Sequence, residues 1–141
     1  MQPPSNNYIP FDKNMSSEKF YPLITYVCDE CKLVQTADFA TADELFTSDY
    51  AYFSSYSSSW LTHAKNYVEM ISQKLFLDAT SQVIEIASND GYLSQYFQEK
   101  NIPTIGVEPC QSVANVAIKK GIDTRVEFLV KILQKLSLKR I

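Results

Sequence analysis

Alternating strand and helix patterns after residue 81 constrain the fold of this chain more than any other feature. Short apolar runs predict strands over 83–86, 104–107 and near 124–128, and helical periods predict helices over 91–100 and 113–118. Gly121 suits the end of the second helix. Strands and helices that alternate at this spacing imply a parallel, doubly wound sheet with right-handed crossovers. The predicted fold class is therefore α/β, with a parallel sheet that is incomplete after about three strands.

A small β segment built around two cysteines is predicted before this sheet. Residues 1–20 carry three prolines among Ser and Asn, which indicates an extended arm. The β-branched and aromatic run over 23–27 stops at Cys28 and resumes at residue 33, which predicts a hairpin. The Cys28-x-x-Cys31 spacing in the hairpin turn points to metal or redox chemistry.

The middle of the chain reads as a loop followed by a helix. Thr41 and Glu44 have the spacing of a capping box for a short helix. The serine- and tyrosine-rich stretch 50–59 is either a loop lining a pocket or a solvated linker, and the sequence leaves both open. Apolar residues at helical spacing predict a helix from Trp60 to Leu75, capped by Ser58 or Ser59.

Composition excludes several classes of partner. With 141 residues, 45% of them hydrophobic, the chain has the size of one globular domain with at most a small appendage. A net charge of −3 argues against a nucleic-acid partner. No window resembles a membrane span or a signal peptide, so we expect no membrane association and a cytoplasmic location. Three cysteines in that compartment do not form a disulfide framework.

The segment from Glu85 to Gly91 joins the first strand of the sheet to its first helix. Open α/β sheets bind ligands at this position, and Glu108 at the end of the next strand can accept hydrogen bonds from two ribose hydroxyls. The alternative is an ordinary turn with a helix cap and a solvated strand end. Because the segment has only one glycine of a G-x-G-x-x-G loop, it favours an adenosine ligand without a pyrophosphate, such as S-adenosylmethionine.

Four motifs lie at residues 27–35, 52–57, 85–93 and 106–109. They resemble the S-adenosylmethionine-dependent sugar C-methyltransferase family that has an N-terminal zinc-binding domain, and the resemblance covers roughly residues 2–128. It implies a Rossmann-like methyltransferase sheet preceded by a zinc-ribbon-like segment. It also implies a cofactor site with Tyr52 and Tyr56 closing over it, whose other residues are Glu85, Ala87, Ser88, Asn89, Gly91, Tyr92, Glu108 and Pro109.

The resemblance further implies a reaction and a metal. The reaction is methyl transfer to a carbon of a nucleotide-linked keto-deoxysugar, and it needs a base. In the family the base-bearing segment follows the cofactor domain, and His63 is not favoured for that role. Family members hold one zinc with two Cys-x-x-Cys pairs, so Cys28 and Cys31 alone would form a half-site that binds zinc weakly. Cys110 is expected to be a small buried hydrophobe rather than a ligand.

The predicted organisation follows from these motifs. It comprises a partial zinc-binding-like domain over 1–48, a linker loop and helix over 49–80, the N-terminal half of a methyltransferase domain over 81–128, and an atypical basic tail over 129–141. The tail is either a basic amphipathic helix or the product of a shifted reading frame, and the second hypothesis is preferred. The chain is expected to be a truncated methyltransferase that is inactive alone; the alternative is a non-catalytic binding module or a nonfunctional remnant.

Overall fold

The structure is a computed structural model that describes residues 1, 3, 9, 11, 12, 18–48 and 50–138. The chain divides into two compact units, Met1–Thr47 and Ser48–Ile141. Most of the predicted N-terminal arm lies outside the described residues. In the described part of the chain, no helix has the length and apolar character needed to cross a membrane.

The first unit contains a two-stranded antiparallel hairpin and a short helix. Strand β1 (Thr25–Val27) pairs with strand β2 (Val34–Thr36), with Val27 opposite Val34. Helix α1 (Ala42–Leu45) begins after Thr41, whose backbone N–H donates to the Glu44 carboxylate over 2.9 Å. The predicted hairpin and capping box are therefore both confirmed.

The second unit is a three-stranded parallel sheet with helices between its strands. Its strands are β3 (Val83–Ile86), β4 (Thr104–Val107) and β5 (Asp123–Arg125), in the order β3-β4-β5. Its helices are α2 (Ser58–Lys74), α3 (Ser94–Glu99), α4 (Gln111–Lys119) and α5 (Leu129–Leu138). The predicted α/β class with a partial parallel sheet is confirmed.

The core of the second unit forms where α2 and α3 meet the sheet. Val68 of α2, Phe97 of α3 and Ile102 before β4 are almost fully buried together. Lys100 and Glu69 add an ion pair of 2.7 Å, whose exposed position makes it worth little beside the apolar burial. On α4, Val113, Ala114 and Ala117 are buried, which gives that helix its apolar face.

Three predicted boundaries were wrong. Helix α2 begins at Ser58 and is capped by Ser57, whose side chain accepts a hydrogen bond from the Trp60 backbone N–H, rather than by Ser58 or Ser59. Helix α3 begins at Ser94 rather than Gly91, because Gly91 has a left-handed φ of +76° that belongs to a turn. Strand β5 ends at Arg125, where its pairing with β4 stops, rather than near residue 128.

Candidate functional site

The loop after β3 contains three residues in the left-handed backbone conformation. Ala87, Asn89 and Gly91 have φ values of +58°, +51° and +76°. Such values are routine for glycine and uncommon for alanine. The loop therefore keeps the conformation of a glycine-rich turn although two of its left-handed positions are not glycine. The Ser88 backbone N–H donates to the Val107 carbonyl over 3.2 Å and joins the loop to the end of β4.

Glu108, directly after β4, is buried against this loop. It is only 5% exposed, and its Oε2 accepts a hydrogen bond of 2.9 Å from the Asn89 backbone N–H. Its Oε1 accepts a bond of 2.8 Å from the Cys110 backbone N–H. Glu108 is therefore not a solvated strand end, because it ties the first loop to the start of α4. Each carboxylate oxygen keeps a second acceptor position.

Glu85, the second carboxylate of the site, lies in β3. Its side chain accepts a hydrogen bond from the Ser94 hydroxyl at the start of α3. Burial raises the pKa of Glu85 to about 7; hydrogen bonding from Ser94 opposes that rise, and the charges of Asp90 and Glu108 add to it. Three carboxyl groups therefore share one small region at the carboxyl end of the sheet.

The serine- and tyrosine-rich stretch 50–59 forms hydrogen bonds with the same loop after β3. The Ser54 N–H donates to Asn89 Oδ1 over 2.9 Å, and Asn89 Nδ2 donates to the Tyr52 carbonyl over 3.0 Å. The Ser55 N–H donates to Asp90 Oδ2 over 3.2 Å, and the Ser55 hydroxyl donates to the same oxygen. Residues 54–56 form a single 3₁₀ turn. Residues 52–55 are therefore bonded to the loop after β3, whereas Tyr56 to Ser59 are exposed to solvent.

Aromatic rings continue from the loop onto α2. The Trp60 ring lies 5.9 Å from the Tyr92 ring and 5.1 Å from the His63 ring, measured between centroids. Burial raises the pKa of Tyr92, with smaller contributions from Glu85, Tyr52 and Asp90. Tyr56 stacks on Phe53 and remains 83% exposed, so most of its side chain faces solvent. His63 thus stacks on Trp60, and it forms no ion pair with a carboxylate of the described residues.

The structure brings most of the predicted cofactor residues to one end of the sheet. Glu85, Ser88, Asn89, Gly91, Tyr92, Glu108 and Pro109 lie at the ends of β3 and β4 and in the turns that follow, and the hydrogen bonds of Asn89 draw in the backbone of residues 52–54. Ala87 belongs to the same loop and is exposed.

Four residues that build the site were not among the predicted cofactor residues, although three of them lie in the motifs at 52–57 and 85–93. They are Ser54, Ser55, Asp90 and Lys120, whose Nζ donates to the Asp90 carbonyl over 2.8 Å. The partners Ser55 and Asp90 are 35 residues apart along the chain, and no periodicity or spacing marks such a pair.

Two buried polar atoms of the loop have no protein partner in the described part of the chain. They are Ser88 Oγ and Asp90 Oδ1, and both residues are fully buried. A buried polar atom without a partner costs free energy. The loop therefore retains hydrogen-bonding capacity that the described protein atoms do not use.

The cysteines occupy two different environments. Cys110 is 1% exposed, and burial together with Glu108 raises its pKa to about 12, as suits an inert buried thiol. Cys28 and Cys31 lie at the turn of the β1–β2 hairpin, where the Lys32 N–H donates to the Cys28 carbonyl over 2.9 Å. Hydrogen bonds from the backbone of Cys31 and Glu30 lower the pKa of Cys28. Within the described residues, no group of three or more Cys, His, Asp or Glu could hold a metal, so these two thiols do not by themselves fit four-coordinate zinc.

Comparison with known proteins supports the resemblance drawn from the motifs. Residues 1–46 match a protein-family model that carries a methyltransferase name and is described as "Putative zinc binding domain". The chain is also 27% identical over 122 residues to C-methyltransferase NovU of Streptomyces niveus. That match covers 86% of this chain and 29% of the relative, so the chain spans less than a third of the length of that protein.

The two matches define the class to which the chain is similar. Together they confirm the resemblance to a sugar C-methyltransferase-like family with an N-terminal zinc-binding domain. The partial Rossmann-like sheet of the second unit agrees with that class. The matches do not favour a non-catalytic binding module.

Proposed function

We propose that the second unit binds S-adenosylmethionine and that the chain serves methyl transfer to a carbon of a nucleotide-linked keto-deoxysugar. The similarity to a C-methyltransferase supports the reaction class. The observation that carries the cofactor is the buried Glu108 carboxylate, bonded to a left-handed loop at the carboxyl end of a parallel strand. Ligands of open α/β sheets bind at this edge.

The residues of this edge fit an adenosine that carries no phosphate. Glu108 still has acceptor positions for ribose hydroxyls, although its two oxygens already accept backbone N–H groups. The left-handed backbone at Ala87, Asn89 and Gly91 shapes a tight turn that lets a ligand approach the main chain. Ser88 Oγ and Asp90 Oδ1 supply unused polar atoms to the same loop.

Each side chain has a proposed part. Glu108 binds the ribose, and the backbone of residues 87–91 contacts the rest of the cofactor. Tyr92 and Pro109 flank the site, and Glu85 supports it through Ser94. Tyr52 and Tyr56, whose side chains are exposed, close over the bound cofactor. When bound, S-adenosylmethionine supplies an electrophilic methyl group on a sulfonium centre. The acceptor carbon requires removal of a proton next to the ketone, and we assign that base to no residue of this chain.

Cys28 and Cys31 have a separate proposed part in the first unit. The match to a zinc-binding domain supports a metal there. We propose that the hairpin turn contributes two thiolates to a zinc site that requires two further ligands, and the described residues provide no third one.

Titration with S-adenosylhomocysteine tests the cofactor proposal. Trp60 is the only tryptophan and its ring lies 5.9 Å from that of Tyr92, so its fluorescence reports on the edge of the proposed site. We expect a saturable change with S-adenosylhomocysteine and none with NAD⁺ at the same concentration, because the loop lacks the glycines that cradle a pyrophosphate. A flat response from protein shown to be folded by circular dichroism would contradict the proposal.

A further inference from the structure

Four hydrogen bonds from two loop residues hold a segment that is distant in sequence. The side-chain amide of Asn89 accepts a hydrogen bond from the Ser54 N–H and donates one to the Tyr52 carbonyl. It thus pairs with the backbone of this segment in the way that the backbone of an adjacent β-strand pairs with its neighbour. Asp90 accepts from the N–H and the hydroxyl of Ser55. We call these four bonds the clasp. The side chains of Asn89 and Asp90 thus bond to protein rather than extending into open space.

Burial makes the clasp a strong constraint on the segment. Asn89 and Ser54 are each 8% exposed, and Asp90 is fully buried. The Ser54–Asn89 bond is buried, so breaking it leaves a polar group unsatisfied, whereas the bonds to Tyr52 and Ser55 are partly buried and reinforce it. Asn89 also holds a left-handed φ of +51°, a conformation that persists when surrounding contacts fix it.

The clasp is joined directly to the carboxylate proposed to bind ribose. The Asn89 backbone N–H donates to Glu108, while its side chain holds residues 52 and 54. A ligand on Glu108 therefore contacts the same short unit that anchors the segment. Two sites that share one such unit influence each other reciprocally.

We propose that Asn89 and Asp90 are positioning residues that couple cofactor binding at Glu108 to the order of residues 52–55. This inference rests on the proposed function, because it takes Glu108 and the loop as the cofactor site. The proposal also gives Asn89 two roles. Its backbone belongs to the cofactor loop, and its side chain positions the segment that carries Tyr52 and Tyr56.

Hydrogen exchange at two amides tests the coupling. The Ser54 and Ser55 N–H groups are the donors of the clasp, and the amides of β4 report opening of the sheet. In the wild-type chain we expect S-adenosylhomocysteine to slow exchange at Ser54 and Ser55 at least tenfold more than in β4. A role confined to overall stability would slow all of these amides equally.

A matched pair of variants separates the side chain from the backbone. Asn89→Gly and Ala87→Gly each place glycine at a left-handed position of the same loop, but only Asn89→Gly deletes two bonds of the clasp. We expect Asn89→Gly to accelerate Ser54 exchange at least tenfold without ligand and to abolish the extra slowing with ligand. It should also lose about tenfold more affinity for S-adenosylhomocysteine than Ala87→Gly loses.

A second pair of variants, at positions outside the loop, tests the coupling if the Asn89→Gly variant does not fold. Ser55→Ala removes one donor to Asp90, whereas Ser58→Ala makes the same change at an exposed serine in the first turn of α2. Only Ser55→Ala should reduce the slowing that ligand produces. If the variants bind and exchange like the wild type, the coupling is refuted while cofactor binding stands. If the wild type binds no S-adenosylhomocysteine, both proposals fail.

Discussion

Replacement of Glu108 tests the reasoning about the site most directly, because the residue has a structural and a proposed ligand-binding role. Glu108→Ala leaves the backbone N–H groups of Asn89 and Cys110 without their acceptors. An unsatisfied buried donor costs about 1–3 kcal/mol, so the two bonds together predict a loss of roughly 2–6 kcal/mol. Loss of a negative charge beside the N-terminus of α4 adds about 0.3–1 kcal/mol.

Glu108→Gln separates the two roles. Glutamine has the same shape but only one acceptor oxygen, so it retains one of the two backbone bonds and loses about half of the stabilisation. Urea denaturation followed through Trp60 fluorescence measures the change, and Glu99→Gln at the exposed end of α3 is the control for loss of one charge. The reasoning is refuted if Glu108→Ala unfolds at the same urea concentration as the wild type.

The ligand-binding role is measured on the variant that remains folded. Calorimetric titration of Glu108→Gln with S-adenosylhomocysteine should show affinity reduced at least tenfold, because one ribose hydroxyl loses a charged acceptor. Equal affinity for the wild type and Glu108→Gln would leave Glu108 with its structural role alone.

Three further predictions concern the loop, the buried carboxyl of β3 and the hairpin thiols. Ala87→Gly should stabilise the folded chain by less than about 1 kcal/mol. Glycine relieves the left-handed φ of Ala87, worth about 1–2 kcal/mol, and this gain exceeds the cost of the larger entropy of glycine in the unfolded chain. A clear loss of stability in urea denaturation would contradict this. Because Glu85 has a pKa of about 7 when folded against 4.5 ordinarily, the folded chain should lose roughly 2–3 kcal/mol of stability as pH rises from about 4.5 to 7. Glu85→Gln should remove that dependence, and an unchanged slope of stability against pH would exclude Glu85 as its source. Metal analysis of the 141-residue chain purified without added zinc should show clearly less than one equivalent; a stoichiometric zinc that resists chelators would oppose this, unless two chains share it.

The sequence predicted those parts of the fold whose signals are local. Strands β3 and β4 were predicted with the observed bounds, because short apolar runs between polar turns specify them. The capping box of α1 was also predicted, since its two residues are only three positions apart. The start of α3 was predicted three residues early, because nothing in the helical period of 91–100 shows that Gly91 adopts a left-handed turn.

The contacts that assemble the site could not be predicted in the same way. Asn89 and Asp90 find their partners 35 residues earlier, in a stretch whose composition was compatible with a linker. The sequence predicted that Glu108 lies at the end of β4. It did not predict that the Glu108 carboxylate accepts hydrogen bonds from two backbone N–H groups, because these depend on how the loop after β3 packs against the end of β4. Pairings of this kind are set by tertiary packing, and a single sequence carries no record of them.

The distribution of glycine around the loop follows from what each position contacts. A Cβ on Gly91 would lie 3.2 Å from the Ala117 Cβ and 2.3 Å from Ile122 Cδ1, so both packing and φ require glycine there. A Cβ on Gly106 would lie 2.5 Å from Ser88 Oγ, so that glycine makes room for the loop against β4. Ala87 is exposed and meets only the cost of its φ, whereas Asn89 offsets that cost through the clasp. Because Ala87 and Asn89 adopt left-handed φ values without being glycine, the presence of a single glycine in this loop does not argue against an adenosine site at this edge.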